Sequence, residues 1–253
     1  MNLFALDGKT ALVIGGSGAL GQAIADGLAG HGARVAIAAR NPAKLQAAVE
    51  NLEQAGAVSR GFYVDTTSRA SLVQLLEQVE QWGERVDILV NCAGVNSKTP
   101  FLEIDEAEWQ GIMDANAKGV FLACQVIGGR MLSQGGGNII NISSVSSGPP
   151  LSKVFTYSAS KAAVNSMTQF LAQEFAPSVR VNAIIPGFFP AEQNRKILTE
   201  ERVRDICRHT PMARLGEAQE LQGAAVFLAS DSAAGFVTGA LVRVDGGFGA
   251  MTI

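Results

Sequence analysis

Seven apolar runs of strand length recur along the chain: TALVIG, RVAIAA, GFYV, VDILVN, NIINIS, VRVNAII and ALVRVD. Nearly all are separated by helix-like stretches of about 10 to 25 residues, long enough for the crossover that joins parallel strands. The helix-like stretches are QAIADGLAGH, PAKLQAAVENLEQAG, SRASLVQLLEQVEQWG, about Glu106 to Ser133, about Tyr157 to Phe175, and ELQGAAVFLAS. This alternation predicts an α/β fold: one doubly wound domain over 1–253, with a mostly parallel seven-stranded sheet and helices on both faces. Pro42 suits the first turn of a helix, and Gly56 and Gly83 suit helix ends. No linker, repeat or low-complexity block divides the chain, and only the segment at about 187–215 breaks the alternation.

Composition agrees with a large core threaded by tight turns, since 47% of the 253 residues are apolar, 17% are charged and 28 are glycine. A net charge of -3 without a like-charged run gives no long-range pull on nucleic acid or an anionic membrane, so a small-molecule partner is expected. The start, MNLFALDGKTALVIGG, has no secretory or transit pattern, and no stretch has about 18 uninterrupted apolar residues, so a cytoplasmic protein is expected. Cys92, Cys124 and Cys207 are far apart and without ligand spacing, which predicts reduced core thiols and no metal.

IGGSGALGQA, residues 14–23, follows an apolar strand and opens an Ala-rich helix. Glycines there let the backbone turn sharply and approach a pyrophosphate, which the free N–H groups of a helix start can hold. A carboxylate about 20 residues further on would bind the ribose hydroxyls of NAD, yet no Asp or Glu lies between Asp26 and Glu50. The second strand ends instead in Ala38, Ala39, Arg40 and Asn41, leaving room for a 2′-phosphate and offering it a guanidinium. NADP(H) is therefore expected ahead of NAD(H); the alternative is a solvated Arg40 and an enzyme that accepts either. Asp65 is placed to accept from an adenine amino group or to cap the next helix.

Taken together, the chain resembles the short-chain dehydrogenase/reductase family in its compact Rossmann-fold branch. The resemblance rests on the glycine turn, NCAG at 91–94, NAKG at 116–119, NISSV, YSASK at 157–161 and VNAIIPG at 181–187. The glycine turn departs from the family pattern: Ile14 stands where threonine is usual and Ala19 where a middle glycine is usual. The resemblance implies cofactor contacts from Gly15, Ser17, Gly18, Leu20, Gly21, Asn91, Gly94, Pro186 and Gly187, with a structural role open for Asn91 and Gly94. It implies Tyr157 as the acid/base, Lys161 as its partner and a ribose contact, and Ser144, 13 residues before the tyrosine, as the group that bonds the substrate oxygen. Asn116 resembles the asparagine that holds a water on a proton path to Lys161, or is purely structural. Lys161 lies one helical turn after Tyr157, so its charge, with that of an oxidised nicotinamide, is expected to favour the phenolate.

From Ala191 to Arg214 the chain has six basic and four acidic residues, a surplus suited to an anionic substrate, or else to a solvated lid helix. Gln193 and Arg195 in EQNRK, with Ser146, are the candidate substrate contacts. PGFFPAEQNR and HTPMARLGE resemble the mannonate oxidoreductase (fructuronate reductase) and gluconate 5-dehydrogenase branch, which implies reversible ketone reduction on a sugar acid or uronate-derived keto acid. Two other readings stay open: a 3-ketoacyl (acyl carrier protein) or general carbonyl reductase, and a non-catalytic cofactor-binding regulator. A homotetramer is implied by the resemblance.

Overall fold

A computed structural model describes residues 2–148, 151–190 and 199–250. The expected strands are present as β1 (Thr10–Ile14), β2 (Arg34–Ala39), β3 (Ser59–Tyr63), β4 (Ile88–Asn91), β5 (Gly137–Ile142), β6 (Val179–Pro186) and β7 (Leu241–Val244). They form one sheet in the order β3-β2-β1-β4-β5-β6-β7, and every pairing is parallel. Because β1 lies between β2 and β4, the chain changes its direction of travel across the sheet there. The carboxyl end of β1 is thus the crevice where such sheets bind ligands.

Strand alternation sends side chains to two cores. Leu12 and Ile14 join one face with Leu72, Val120 and Val164, while Ala11 and Val13 join the other with Ile24, Leu52 and Val226. The first face is covered by α3 (Arg69–Gly83), α5 (Gly119–Ala123) and α7 (Phe155–Glu174), and the second by α1 (Ala19–Gly30), α2 (Pro42–Gln54) and α9 (Gln222–Ala229). Helix starts follow the expected chemistry: Asn41 accepts from Lys44 N at 3.0 Å with Pro42 beside it, and the Ser68 hydroxyl accepts from Ser71 N.

Two elements differ from the expectation. The helix expected from Glu106 to Ser133 is α4 (Glu106–Met113), α5 and α6 (Gly129–Ser133) joined by π-helical turns at Asp114–Lys118 and Cys124–Gly128. Inside the segment left outside the alternation lies α8 (Glu200–His209), capped by Thr199 accepting from Arg202 N. Among the described residues no helix is long and apolar enough to cross a membrane.

A buried polar chain joins three of these elements, two strands and a helix. Asn91 Nδ2 donates to Asn141 Oδ1 at 2.9 Å, and Asn141 Nδ2 donates to Thr168 Oγ1 at 3.0 Å. Each of the three side chains is almost fully enclosed. Asn141→Ala would leave the Asn91 amide only the weak Cys124 Sγ acceptor at 3.4 Å, and a buried polar group that loses its partner costs about 1–3 kcal/mol. The thermal midpoint is expected to fall by several degrees, at roughly 2–4 °C per kcal/mol for a chain of this size. An unchanged midpoint in calorimetry would show that the chain carries no such role.

Candidate active site

The sheet register assembles the site. Ile14 pairs with both Ala38 and Asn91, and Asn91 pairs with Asn141, so Ala39, Gly15, Cys92 and Ile142 emerge side by side one residue later. Together these residues border a cleft of about 930 Å³. Gly15 takes φ +85°, and a Cβ on it would stand 2.5 Å from Ala93 N; a Cβ on Gly21 would stand 2.3 Å from Gly15 O. The turn is closed so tightly that only hydrogen fits at either position. Gly18 caps α1 with no side-chain bond, and α1 has no acidic residue in its first turn. Its leading N–H groups and positive dipole end therefore suit a phosphate.

At the other end of the cleft, α7 begins two residues earlier than expected, so Tyr157 and Lys161 share one face within its first turns. Lys161 is 4% exposed, and its Nζ donates to Ile142 O at 2.8 Å while lying 5.7 Å from the centre of the Tyr157 ring. Burial lowers the ammonium to about 8, against a weaker opposing pull from Cys92. Burial also raises Tyr157, and the Ser144 hydroxyl beside it works in the opposite direction. For the polypeptide alone burial thus favours the protonated phenol, while the Lys161 ammonium bonds the Ile142 carbonyl; the expected help from Lys161 to the phenolate includes the charge of an oxidised nicotinamide.

Ser144 Oγ accepts from Ser146 N at 3.2 Å and from Ser146 Oγ at 3.0 Å. With both acceptor positions taken, its O–H is left to act as a donor beside Tyr157. Ser146 lines the cleft, yet its hydroxyl is bound to Ser144, which makes it a positioning group. Asn116 sits in the first π-helical turn, fully buried, with Oδ1 accepting from Val95 N and Nδ2 donating to Val95 O and Ser160 Oγ. Its amide is committed to holding the loop after β4 against α7.

Gly15, Ser17, Gly18, Leu20 and Gly21 line the cleft as expected, and so do Arg40, Gly94, Pro186 and Gly187. Two cofactor candidates do not. Asn91 turns into the polar chain with Asn141, because its position in the strand faces the α7 side. Asp65 accepts from Thr67 N and Thr67 Oγ1, which holds its carboxyl below the usual range, and it borders a separate shallow depression with Ser68 and Ser71. Gln193 and Arg195 lie outside the described residues. Neither histidine lines the cleft: each ring nitrogen Nδ1 sits on a carbonyl of its own helix.

Among the lining residues that escaped the sequence reading, Lys44, Cys92 and Arg202 carry chemistry. Lys44 stands beside Arg40 because the Asn41 cap starts α2 there; the cap-plus-proline signal was visible, but its aim was not. Cys92 lines the cleft, its thiol pushed up to about 11 by burial. Arg202 lines the opposite end with Leu151, Val154, Phe188 and Phe189. No cluster of His, Cys, Asp or Glu that could hold a metal occurs among the described residues. An elongated cleft with an open helix start at its centre, cations at one end and a Ser–Tyr–Lys group at the other fits a dinucleotide with a small substrate beside it.

Comparison with known proteins agrees with that fit. Residues 16–249 match a family described as Enoyl-(Acyl carrier protein) reductase. The chain is 39% identical to an uncharacterized oxidoreductase of Bacillus subtilis, covering 96% of this chain and 95% of that one. It is 36% identical to 5-keto-D-gluconate 5-reductase of Escherichia coli K12, covering 97% of each chain. Among solved structures, a gluconate 5-dehydrogenase from Burkholderia cenocepacia in complex with NADP and tartrate superposes with a TM-score of 0.95, at 33% identity over 99% of both chains. The gluconate part of the resemblance noted from sequence is thereby borne out.

A lysine that titrates near 8 is charged below that pH and neutral above it. For ketone reduction, kcat/KM for the nucleotide, which reports the free enzyme, is expected to fall as pH rises through about 8. In Lys161→Arg the charge persists, so the residual activity should show no break there. A profile flat from pH 7 to 9 in the parent protein, roughly one unit either side, would contradict this assignment.

Proposed function

The chain belongs to the short-chain dehydrogenase/reductase family, and from that premise we propose that Ser144, Tyr157 and Lys161 are the catalytic groups of an NAD(P)-dependent oxidoreductase. It interconverts a ketone and a secondary alcohol on a sugar acid or uronate-derived keto acid, with NADP(H) preferred and NAD(H) usable. One observation carries this reading: Arg40, Lys44, Lys161 and Arg202 line the cleft, and no Asp or Glu does among the described residues. In a chain of net charge -3, so one-sided a lining marks a site for anions at both ends.

At the β2 end, Arg40 and Lys44 receive the 2′-phosphate, and no carboxylate from the strand end competes for the ribose. The NADP in the Burkholderia structure supports that assignment. A bound nicotinamide supplies hydride in reduction and accepts it in oxidation. Tyr157, kept protonated by burial, gives its proton to the carbonyl oxygen. Ser144 donates its O–H to the same oxygen as negative charge grows there. Lys161, anchored on Ile142 O, holds the ribose and places positive charge against the phenol ring, which helps the reverse step in which Tyr157 must take a proton. Asn116 supports this geometry through Val95 and Ser160.

The 3-ketoacyl alternative needs basic charge to receive an acidic carrier protein. On α6, the Arg130 guanidinium is already paired with Glu80 at 2.6 Å. A non-catalytic regulator would not need Ser144, Tyr157 and Lys161 in one cleft. The homotetramer and the cytoplasmic location belong to the same reading, supported for the former by exposed Phe121, Leu132 and Phe170 on α5, α6 and α7.

Purified protein with NADPH is expected to reduce 5-keto-D-gluconate, and Tyr157→Phe to lose about 10²–10⁴-fold in kcat while still binding NADPH. Full turnover by the folded Phe variant would refute the catalytic assignment. Arg40→Ala with Lys44→Ala should raise KM for NADPH by about tenfold or more, the scale of a lost charge-assisted bond, and leave KM for NADH nearly unchanged. Equal effects on both would remove the case for the 2′-phosphate.

A further inference from the structure

We propose that Arg202, in the first turn of α8, grips the carboxylate of the substrate and so sets the preference for acids over neutral sugars. This deepens the sugar-acid reading and rests on it.

The neighbouring arginines already have acidic partners. Along α8, Arg204 is paired with Glu200 at 3.9 Å and Arg208 with Asp205 at 3.4 Å, with side chains 62% and 74% exposed to solvent. Beyond the helix, Arg214 makes two bonds to Glu220. Arg202 differs from all three. It is half-buried, it lines the cleft that also contains Ser144 and Tyr157, and among the described residues no carboxylate is paired with it. Its recorded contact is Nη2 donating to Ser152 O at 3.5 Å, the long limit of a hydrogen bond. A guanidinium has five donors in a planar fork that matches a carboxylate, and one stretched carbonyl contact leaves most of them unused.

The surroundings fit a ligand with one charged end. Leu151, Val154, Phe188 and Phe189 line the same cleft as Arg202, Ser144 and Tyr157 and give it an apolar share. Apolar lining limits the water that competes with an ion pair, and the hydroxyl donors remain for the carbonyl end of the ligand. Arg40 and Lys44 occupy the far end of the cleft, near the β2 terminus, so they are committed to the nucleotide. Among the described residues Arg202 is therefore the lining cation that is neither in the catalytic group nor at the 2′-phosphate. The Ser152 carbonyl is a weak acceptor at 3.5 Å, and a carboxylate would replace it with a stronger, two-pronged one.

The test compares parent protein, Arg202→Gln, Arg202→Ala and Arg202→Lys with NADPH, using 5-keto-D-gluconate and a neutral ketose of the same chain length. In the Gln and Ala variants, KM for the acid is expected to rise about 10- to 100-fold, the scale of a lost bond to a charged group. Values of kcat, of KM for NADPH and of KM for the ketose should stay within about twofold, and Lys should recover part of the loss as a point charge. The proposal is overturned if KM for the acid is unchanged, if acid and ketose shift together, or if KM for NADPH is what rises. A parent protein that turns over neutral ketones but no keto acid would refute the sugar-acid reading itself, and this inference with it. If acids are substrates but the variants do not discriminate, only the role of Arg202 falls.

Discussion

The single bond from Lys161 Nζ to Ile142 O is the constraint around which the site is organised. A charged ammonium that is 4% exposed needs partners, and β5 provides the carbonyl of its last residue, Ile142, one residue beyond the last β4–β5 pair, Asn91–Asn141. The strand order brings that carbonyl next to the glycine turn, and the register places α7 above it. If the sheet slipped by one residue, Lys161 would lose the carbonyl and the Ser144 hydroxyl would turn to the other face. Ser143, just before it, adds a second tie by donating to Lys161 O at 3.2 Å. Catalytic geometry and strand register are thus held by the same short stretch, NISS.

Behind the site, polar groups that would be costly in an apolar core satisfy one another. Asn91, Asn141 and Thr168 link β4, β5 and α7, and Asn116 links the β4 loop to α7. Each bond joins elements distant in sequence, so each depends on the whole layer order being right. The small residues of YSASKAA let α7 approach the sheet closely enough for these bonds to form. Cys124, pushed up to about 12 by burial, lies against the Asn91 amide as an inert neutral thiol.

Much of this was legible from residue order. Strand-length apolar runs separated by amphipathic stretches left one reasonable fold class, and YSASK placed two reactive groups one turn apart before any coordinates. What escaped depends on direction, which a linear pattern does not contain. Asn91 stands beside the cofactor turn in sequence, yet period-two alternation sends its side chain to the opposite face. Asp65 occupies a position suited to adenine, yet its own chain two residues later captures it. Lys44 looks like an ordinary helix residue until the Asn41 cap fixes where the helix starts. Arg195 stands out in sequence through its basic company, whereas Arg202 is distinguished by having no acidic companion among the described residues, a property visible only when its helical neighbours are seen in pairs. Around Tyr157 charge proximity is readable from spacing, whereas the burial that raises the phenol is not.

The two π-helical turns between α4 and α6 are in effect extra residues fitted into an otherwise regular rod. Deleting one residue from Asp114–Lys118 would allow ordinary α pitch and a locally better helix, but it would swing everything beyond by about 100°. Asn116 would then lose Val95 and Ser160, and Phe121 and Leu132 would face new directions. The wider turns therefore act as phase adjusters: they let one continuous helix address the reaction centre with one face and the exterior with another, an arrangement that a perfectly periodic helix of this length could not hold.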